Sequence, residues 1–557
     1  MFLGQLDAAD FCPYPFLDPD SAELLSMVRG SFGRFAEEHI DAESIDRAHA
    51  VPEAVLAGLS ELGLFGMRIP EEYGGLDLNA TQYCRVGMDL SAADGAVAIL
   101  SGGHSTIGIK ALLLAGTEEQ KAKYLPRLAT GELKAAFALS EPDAGSDAQA
   151  LTCTAKLSED KQHYVVNGNK LWITNGGLAN LVTLFVRTPD HPRTDGRPSI
   201  SCLLVEREMG YEAGREETKL GIRGSSTVPL VFEDVSVPVE NLVGVPGEGF
   251  RLALDILNGG RTGLAGGCLG ASRYLLEEAV KYTTERQQFG RPIAEFQLIQ
   301  QKLGRMAQSL HALECMVFLT TGLADRHGVD LPLESALCKI FGTETLWSVV
   351  NDAVQCAGGN GFTTDYPFER MLRDARVNMI FEGTNEILRV MVATSGLRGP
   401  AERLSESIPG RDDPYGRLLD GAEVPDPMKV PDELRAESLA LSMAVAELAV
   451  ASGKAVRTHG KALREQQLVV AALTDQVLAT YAQAAVLSRA VSLHDQGAET
   501  VGPEALEHEI LLAKGSCRRL QRFGRRASQS LRDNDDAILL KTAGLITRLG
   551  GMPGERP

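Results

Sequence analysis

The sequence predicts a mainly α-helical protein with one central β-domain and a further helical domain at its C-terminal end. Three observations predict it. Apolar residues recur at helical spacing through 1–133, and they change to strand-like runs across 134–245. Helical spacing returns across 246–399. A segment rich in Pro, Gly and acids (400–431) then separates this region from an Ala-rich helical stretch, 432–557. At 557 residues the chain has length for three or four domains, and its 44% hydrophobic content can fill sizeable cores.

Each region has its own pattern. In the first, Leu24, Leu25, Val28 and Phe32, then Val55, Leu56, Leu59, Leu62 and Leu64, form apolar stripes. Residues 71–76 read as a turn and 101–108 as a glycine-rich helix start. In the second, Asn167-Gly168 is flanked by strand formers and predicts a type I′ hairpin turn. Residues 181–187, 200–206 and 229–237 read as further strands of a compact barrel or sandwich. In the third, Leu252, Leu254, Ile256 and Leu257 open one helix, and Tyr274, Leu275, Ala279 and Tyr282 belong to another. Leu298, Leu303, Met306, Leu310 and Leu313 mark a third. In the last, Val445, Leu448, Ala449 and Ser452 keep the stripe of a bundle helix, as do Leu468, Ala471, Ala472, Thr474 and Leu478.

Composition excludes several functions. A net charge of -19 disfavours nucleic acid and a polybasic membrane anchor. Nine cysteines without a CxxC pair fit reduced core thiols rather than disulfides or zinc. No apolar run is expected to approach the roughly 18–20 residues of a membrane span. The acidic, proline-containing first twenty residues resemble neither a signal nor a transit peptide. A cytoplasmic prokaryotic protein, at most peripheral to the inner membrane, is the expectation.

The chemistry centres on Phe381-Glu382-Gly383-Thr384, a carboxylate between an aromatic residue and a Gly-Thr turn, with a helical pattern following at once. A carboxylate held against apolar neighbours has its pKa raised and suits a general base. Alone, such a motif more often marks a helix-start acid that suits the macrodipole. Other segments are equally ambiguous alone: the small-residue loop 137–147, an indole and hydroxyl at Trp172 and Thr174, Arg286 at a helix end, and the glycines after Gln355. No GxGxxG follows a strand, so a Rossmann site is not supported, and no His/Cys/Asp cluster has metal spacing, so no metal is expected.

Taken in order, these segments resemble the acyl-CoA dehydrogenase family. "LSEPDAGSD", "LWITNGG", "RQQFG", "QCAGGNG" and "FEGTNEI" carry the likeness over nearly all of residues 1–400. Within the family the chain is most similar to the very-long-chain branch, through "GQLDAADFCPYPF", "GGHSTIGIKALLLAGTEEQKAKYLP", "ILNGGR" and the extra helical domain. The resemblance implies a helical bundle, β-domain and helical bundle holding FAD noncovalently. It implies α,β-dehydrogenation of long-chain fatty acyl-CoA to trans-2-enoyl-CoA in fatty acid β-oxidation, with electrons passed to an electron-transfer flavoprotein. Glu382 resembles the base that removes the α-proton. Phe137, Leu139, Ser140, Gly145, Ser146, Trp172, Ile173, Thr174, Arg286, Phe289, Gln355, Gly358, Gly359, Thr384 and Glu386 resemble FAD contacts, some of them reaching a second subunit's flavin in a homodimer. Ser146, Asn258, Arg261, Phe381 and Gly383 resemble CoA-ester contacts. Gly102, Gly103 and Gly108 lie where the family closes the acyl pocket, and they are expected to leave room for a long chain. One branch keeps its base beside the Arg of the "GGR" segment; Gly260 stands there and takes no proton, which leaves Glu382.

The linker departs from membrane-associated relatives, because acids such as Asp412, Asp413, Asp420 and Glu423 outnumber its cations. Membrane association is expected to be weak or absent. Arg518, Arg519, Arg522, Arg525 and Arg526 form a basic cluster that reads first as a solvated helix face. Two other readings share the motifs: an acyl-CoA oxidase using oxygen, and a non-enzymatic respiratory-complex assembly factor.

Overall fold

The computed structural model describes residues 1–328, 331–406 and 426–552. Their contacts form two compact units, 15–385 and a second made of 1–14 with 386–557.

The larger unit opens with helices Pro19–His39 (α1), Ala42–Ala48 (α2), Glu53–Glu61 (α3), Ala80–Ala93 (α4), Gly95–Gly102 (α5), Lys110–Ala115 (α6) and Glu118–Ala129 (α7). Asn79 and Thr117 start α4 and α7 as capping boxes, each with a Gln three residues on. Residues Gly103–Gly108, expected as a helix start, instead form a π-helical turn continuing from α5. Widened turns of this kind recur at functional sites. Buried His104 pins this one: its Nδ1 accepts from the Ala135 N–H at 3.0 Å, so Nε2 donates to the Leu128 carbonyl at 3.2 Å.

An eight-stranded sheet follows: Ala135–Ala138 (β1), Thr154–Leu157 (β2), His163–Thr174 (β3), Leu181–Arg187 (β4), Ile200–Glu206 (β5), Glu212–Ala213 (β6), Thr227–Pro238 (β7) and Leu242–Val243 (β8). Its order is β6-β7-β3-β2-β4-β5-β8, with β1 parallel to β4. β4 and β5 are buried on both faces, which is why they read as continuous apolar runs. Leu181, Phe185, Cys202 and Leu204 join a core with Leu112, Leu125, Leu128 and Ile256. Val182, Leu184, Leu203 and Val205 face a second core with Tyr211 and Phe232. The hairpin expected at Asn167-Gly168 does not form. β3 runs straight through it, with a register shift against β7 at Gly168. A Cβ on Gly168 would meet Cys153 Cα at 2.7 Å, so this glycine marks a bulge with close backbone approach rather than a turn.

The unit ends with Gly249–Glu285 (α8), Gln297–His327 (α9), Pro332–Ala357 (α10), Gly359–Phe362 (α11) and Phe368–Ala375 (α12). α8 is one 37-residue helix where two were expected. Its glycines are used for contact: a Cβ on Gly270 would fall on Met88 backbone, and one on Gly266 would lie 3.2 Å from Cys84. α8 thus packs closely on α4, and also against α9 and α10.

The second unit contains Asn385–Gly396 (α13, whose first residue belongs to the larger unit), Arg398–Glu406 (α14), Arg435–His459 (α15), Gln467–Gln496 (α16), Ala498–Val501 (α17), Pro503–Ser530 (α18) and Asp536–Leu549 (α19). α15, α16 and α18 pack on one another. Of the segment read as a linker, 400–406 is helical and 407–425, including Asp412, Asp413, Asp420 and Glu423, lies outside the described residues. In the Arg cluster on α18, Arg518 pairs with Glu437 at 3.1 Å, and Arg522, Arg525 and Arg526 are not buried.

Contrary to the expectation of no spanning run, Gly95–Ala115, Asp432–Glu465 and Gln467–Gln496 are long and apolar enough to cross a membrane by length and composition. Ala lifts the average there without an unbroken run of large apolar side chains, and 78% of the Gln467–Gln496 window is buried within the protein.

Candidate active site

Glu382 follows α12 and precedes α13. Its φ is 55° and that of Gly383 is 93°, so two successive residues are left-handed. For a non-glycine residue this costs about 1–3 kcal/mol and persists only where the surroundings impose it. The residue as a whole is partly exposed, but its Oε2 is buried and has no hydrogen-bond partner among the described residues. The Glu382 N–H likewise meets no protein acceptor among them. Burial pushes the carboxyl up to about 7, against the opposing pull of Arg261, Lys339 and Lys110.

Gly260 on α8 makes room for this carboxylate: a Cβ there would lie 2.9 Å from Oε2 and 3.1 Å from Oε1. Buried Arg261 donates from Nε to the Glu382 carbonyl at 3.2 Å and from Nη1 to Asn258 Oδ1 at 3.1 Å. Asn258, Arg261 and Gly383 therefore meet around Glu382, with Phe381 adjacent in the chain. Lys339 was not singled out in the sequence. It is fully buried on α10, and its Nζ donates to the Gly383 carbonyl and to Asn385 Oδ1, both at 2.8 Å. Its signal was available: a lysine inside the apolar run Leu337-Cys338-Lys339-Ile340-Phe341.

A cavity of about 150 Å³ borders Asn258, Gly259 and Thr262, which flank Gly260, and continues past Tyr83, Thr106 and Leu113. The three glycines expected to open an acyl pocket behave differently. A Cβ on Gly103 would meet Asn175 Nδ2 and Thr174 Cγ2 at 3.1 Å, and one on Gly108 would meet Ala135 Cβ at 2.8 Å. Those two serve packing against the sheet. Gly102 alone has slack, with Tyr83 Oη at 3.7 Å.

A second cluster forms at the sheet edge. Leu171 N–H donates to the Ser140 carbonyl at 3.0 Å, which brings the loop after β1 beside the end of β3. A buried ion pair fastens them: Lys170 Nζ lies 2.8 Å from Glu141 Oε1 and 3.0 Å from the Leu139 carbonyl. Glu141 also accepts from Thr152 N and Oγ1 and from Cys153 N. Burial alone would raise the Glu141 carboxyl, but these partners outweigh it and hold it below its ordinary value. Trp172 has φ 57° and its residue is 60% exposed. Gly145 and Ser146 are exposed, and nothing lies within 4 Å of a Cβ built on Gly145. Leu139 and Ile173 have core side chains, and the Phe137 ring packs on Phe185 at 5.0 Å, so Leu139 and Ile173 can offer a ligand only their backbone.

The remaining predicted contacts lie elsewhere. Arg286 follows α8, and Phe289 is 94% exposed with φ 52°. Gln355, Gly358 and Gly359 are exposed at the end of α10, where Asn360 donates to Tyr282 Oη at 3.1 Å and ties this end to the last turn of α8. Gly260 and Arg286 are 26 residues apart on α8 and its cap, about 39 Å at 1.5 Å per residue. Thr384 lies partly buried beside Gly383, and Glu386 is exposed in the other compact unit.

The residues fit a flat, polar-edged cofactor. An exposed indole is held at a strand end, an open glycine loop sits beside it, and a buried carboxylate oxygen is left without a partner. Known proteins carry the same plan. Models of the acyl-CoA dehydrogenase N-terminal, middle and C-terminal domains match residues 22–132, 136–235 and 247–397, and the ACAD9/ACADV C-terminal domain model matches 432–546. The very long-chain specific acyl-CoA dehydrogenase, mitochondrial, of Homo sapiens is 38% identical over 537 residues, covering 93% of this chain and 81% of that protein. A probable acyl-CoA dehydrogenase of Bacillus subtilis (strain 168) is 38% identical over 500 residues, covering 85% and 81%. The crystal structure of an acyl-CoA dehydrogenase complexed with FAD from Bacillus anthracis superposes with a TM-score of 0.82 at 31% identity, covering 98% of this chain and 94% of that one.

Fold and site together define an FAD-dependent oxidoreductase that acts on CoA thioesters. The chain belongs to the acyl-CoA dehydrogenase family.

Proposed function

We propose that Glu382 is the base that removes the α-proton of a long-chain fatty acyl-CoA, giving the trans-2-enoyl-CoA. The observation that carries this is the buried, unpartnered Glu382 Oε2 over Gly260, beside the cavity between α4 and α8. A carboxylate with a pKa of about 7 suits proton abstraction near neutrality, being ionised enough to act and basic enough to accept a proton. Arg261 holds the Glu382 carbonyl, and the Glu382 N–H, without an acceptor among the described residues, is a donor suited to a thioester oxygen as its charge develops. FAD, when bound, supplies the two-electron acceptor for the β-hydrogen. Phe137, Ser140, Gly145, Ser146, Trp172, Thr174 and the backbone of Leu139 and Ile173 would hold it.

Glu382→Gln is expected to retain FAD and bind acyl-CoA, while anaerobic flavin reduction slows about 100-fold or more. A variant that keeps more than about a tenth of the wild-type rate refutes the assignment.

Long chains are favoured by the likeness to very long-chain enzymes and by the slack at Gly102. Each added buried methylene contributes about 0.8 kcal/mol until the cavity ends. Exposed Phe289, with Arg286 some 39 Å along α8 from Gly260 and with Gln355, Gly358 and Gly359 exposed at the end of α10, supports a homodimer in which these residues serve the flavin of a second copy. An electron-transfer flavoprotein is the proposed acceptor. Dye-linked anaerobic turnover without peroxide release in air supports it over oxygen, and it separates an enzyme from a pure assembly factor.

A further inference from the structure

Lys339 raises a question that the reaction itself does not answer. Its ammonium is wholly buried, yet among the described residues it touches no carboxylate, only the Gly383 carbonyl and Asn385 Oδ1. A neutral amide could make such bonds without the cost of burying a charge. The two bonds hold the C-terminal side of the strained turn. One lands on the residue after Glu382, and the other on Asn385, which is anchored through Nδ2 to Thr343 Oγ1 and Glu344 Oε1, both at 3.1 Å. Glu382 and Gly383, both at positive φ, are thereby tied to the middle of α10, a rigid helix packed on α8 and α9.

We propose that Lys339 is a positioning residue: it fixes the Glu382-Gly383 turn through Gly383 and Asn385, and it supplies part of the positive charge that faces Glu382. This rests on reading Glu382 as the base.

Lys339 shares the positive field at Glu382 with Arg261 and Lys110, and of the three it is the one bonded to both Gly383 and Asn385. Facing Glu382 are Arg261 from α8, Lys339 from α10 and Lys110 from α6, with Tyr83 from α4 and Cys268 from α8. Burial pushes Tyr83 and Cys268 up, so both stay neutral in the working range. The Arg261 guanidinium is committed to the Glu382 carbonyl and to Asn258. Facing Lys339 are Glu382, Cys268, Arg261 and Glu344. Burial brings Lys339 down to about 8, so it is an ammonium while Glu382 ionises.

The test follows flavin reduction by a long-chain acyl-CoA under anaerobic conditions as a function of pH. It uses the FAD-loaded wild type, Lys339→Met, Lys339→Arg and Asn385→Asp. Lys339→Met is expected to move the midpoint of the rate profile alkaline by about one pH unit and to lower the plateau. Lys339→Arg keeps the charge and restores most of the midpoint. Asn385→Asp, nearly isosteric, sets a carboxylate against Nζ and also moves the midpoint alkaline, which decides the matter if Lys339→Met does not hold FAD. A lowered plateau with an unmoved midpoint, in Lys339→Met or in Asn385→Asp where the former does not fold, overturns the proposal. Full flavin reduction by Glu382→Gln would remove the base reading itself. An inactive Glu382→Gln alongside an unmoved Lys339→Met midpoint removes only this inference.

Discussion

Lys170 on β3 and Lys339 on α10 are both among the largest fully buried side chains in the protein, and each lies near a glutamate. Their glutamates end in opposite conditions. Lys170 bonds its partner directly at 2.8 Å, and Thr152 and Cys153 fill the remaining acceptor sites of Glu141, which is held below its ordinary pKa. Lys339 spends its hydrogen bonds on the backbone and amide beside Glu382, leaving Oε2 bare and the carboxyl near 7. A cation close by therefore shifts ionisation without fixing it; hydrogen bonds that reach the carboxylate carry it further. The first arrangement makes a clamp, and the second leaves a group able to take a proton.

The sharpest way to break this contrast is to remove the clamp. Lys170→Met strands a buried carboxylate and is expected to cost about 3–5 kcal/mol in urea unfolding, with part recovered when Glu141→Leu is added. A loss under about 1 kcal/mol would show that the pair is not what joins loop 139–146 to β3.

Next in size is pH. In the wild type, flavin reduction is expected to rise as Glu382 loses its proton, reaching half-maximum near 7 and about a tenth of the plateau one unit lower. Glu141 acts in the opposite sense. Its folded pKa is depressed, so its stability contribution is present above the ordinary carboxylate range and lost as pH falls through the folded value. Activity should therefore fall with acid well before stability does. Coincident loss of rate and fold in a pH series would contradict the contrast.

The smallest effect separates two adjacent glycines. Gly102→Leu should move the chain-length optimum shorter, at about 0.8 kcal/mol for each methylene excluded, and leave short acyl-CoA turnover intact. Gly103→Leu should lower Tm instead, since its side chain would press on Asn175 and Thr174. A kcat/KM profile of wild type peaking at short acyl chains would defeat the long-chain reading.

What was legible in the sequence follows from physics that acts locally. β4 and β5 fall on the expected residues because doubly buried strands leave continuous apolar runs. Glu382 was legible through its motif and through the glycine at 260. Asn167-Gly168 misled because a bulge and a hairpin turn ask for the same residue, and only the contact with Cys153 distinguishes them. α8 was divided because its apolar stripes at 252–257 and 274–282 are separated by a glycine-rich stretch, where Gly266 and Gly270 admit α4. Lys170 and Lys339 were missed because a lysine is ordinarily a surface residue, and the partners of each lie far away in sequence or around a turn.

The left-handed backbone at residue 382 has a consequence for how the protein can change. Judged by backbone alone, position 382 suits glycine or, less well, asparagine or aspartate. Glycine there would relax the turn but remove the carboxylate, and aspartate would keep the charge one methylene short of its place over Gly260. Selection for thermal robustness and selection for turnover thus pull this position in opposite directions. Substitutions that stabilise the protein here should be those that destroy its catalysis.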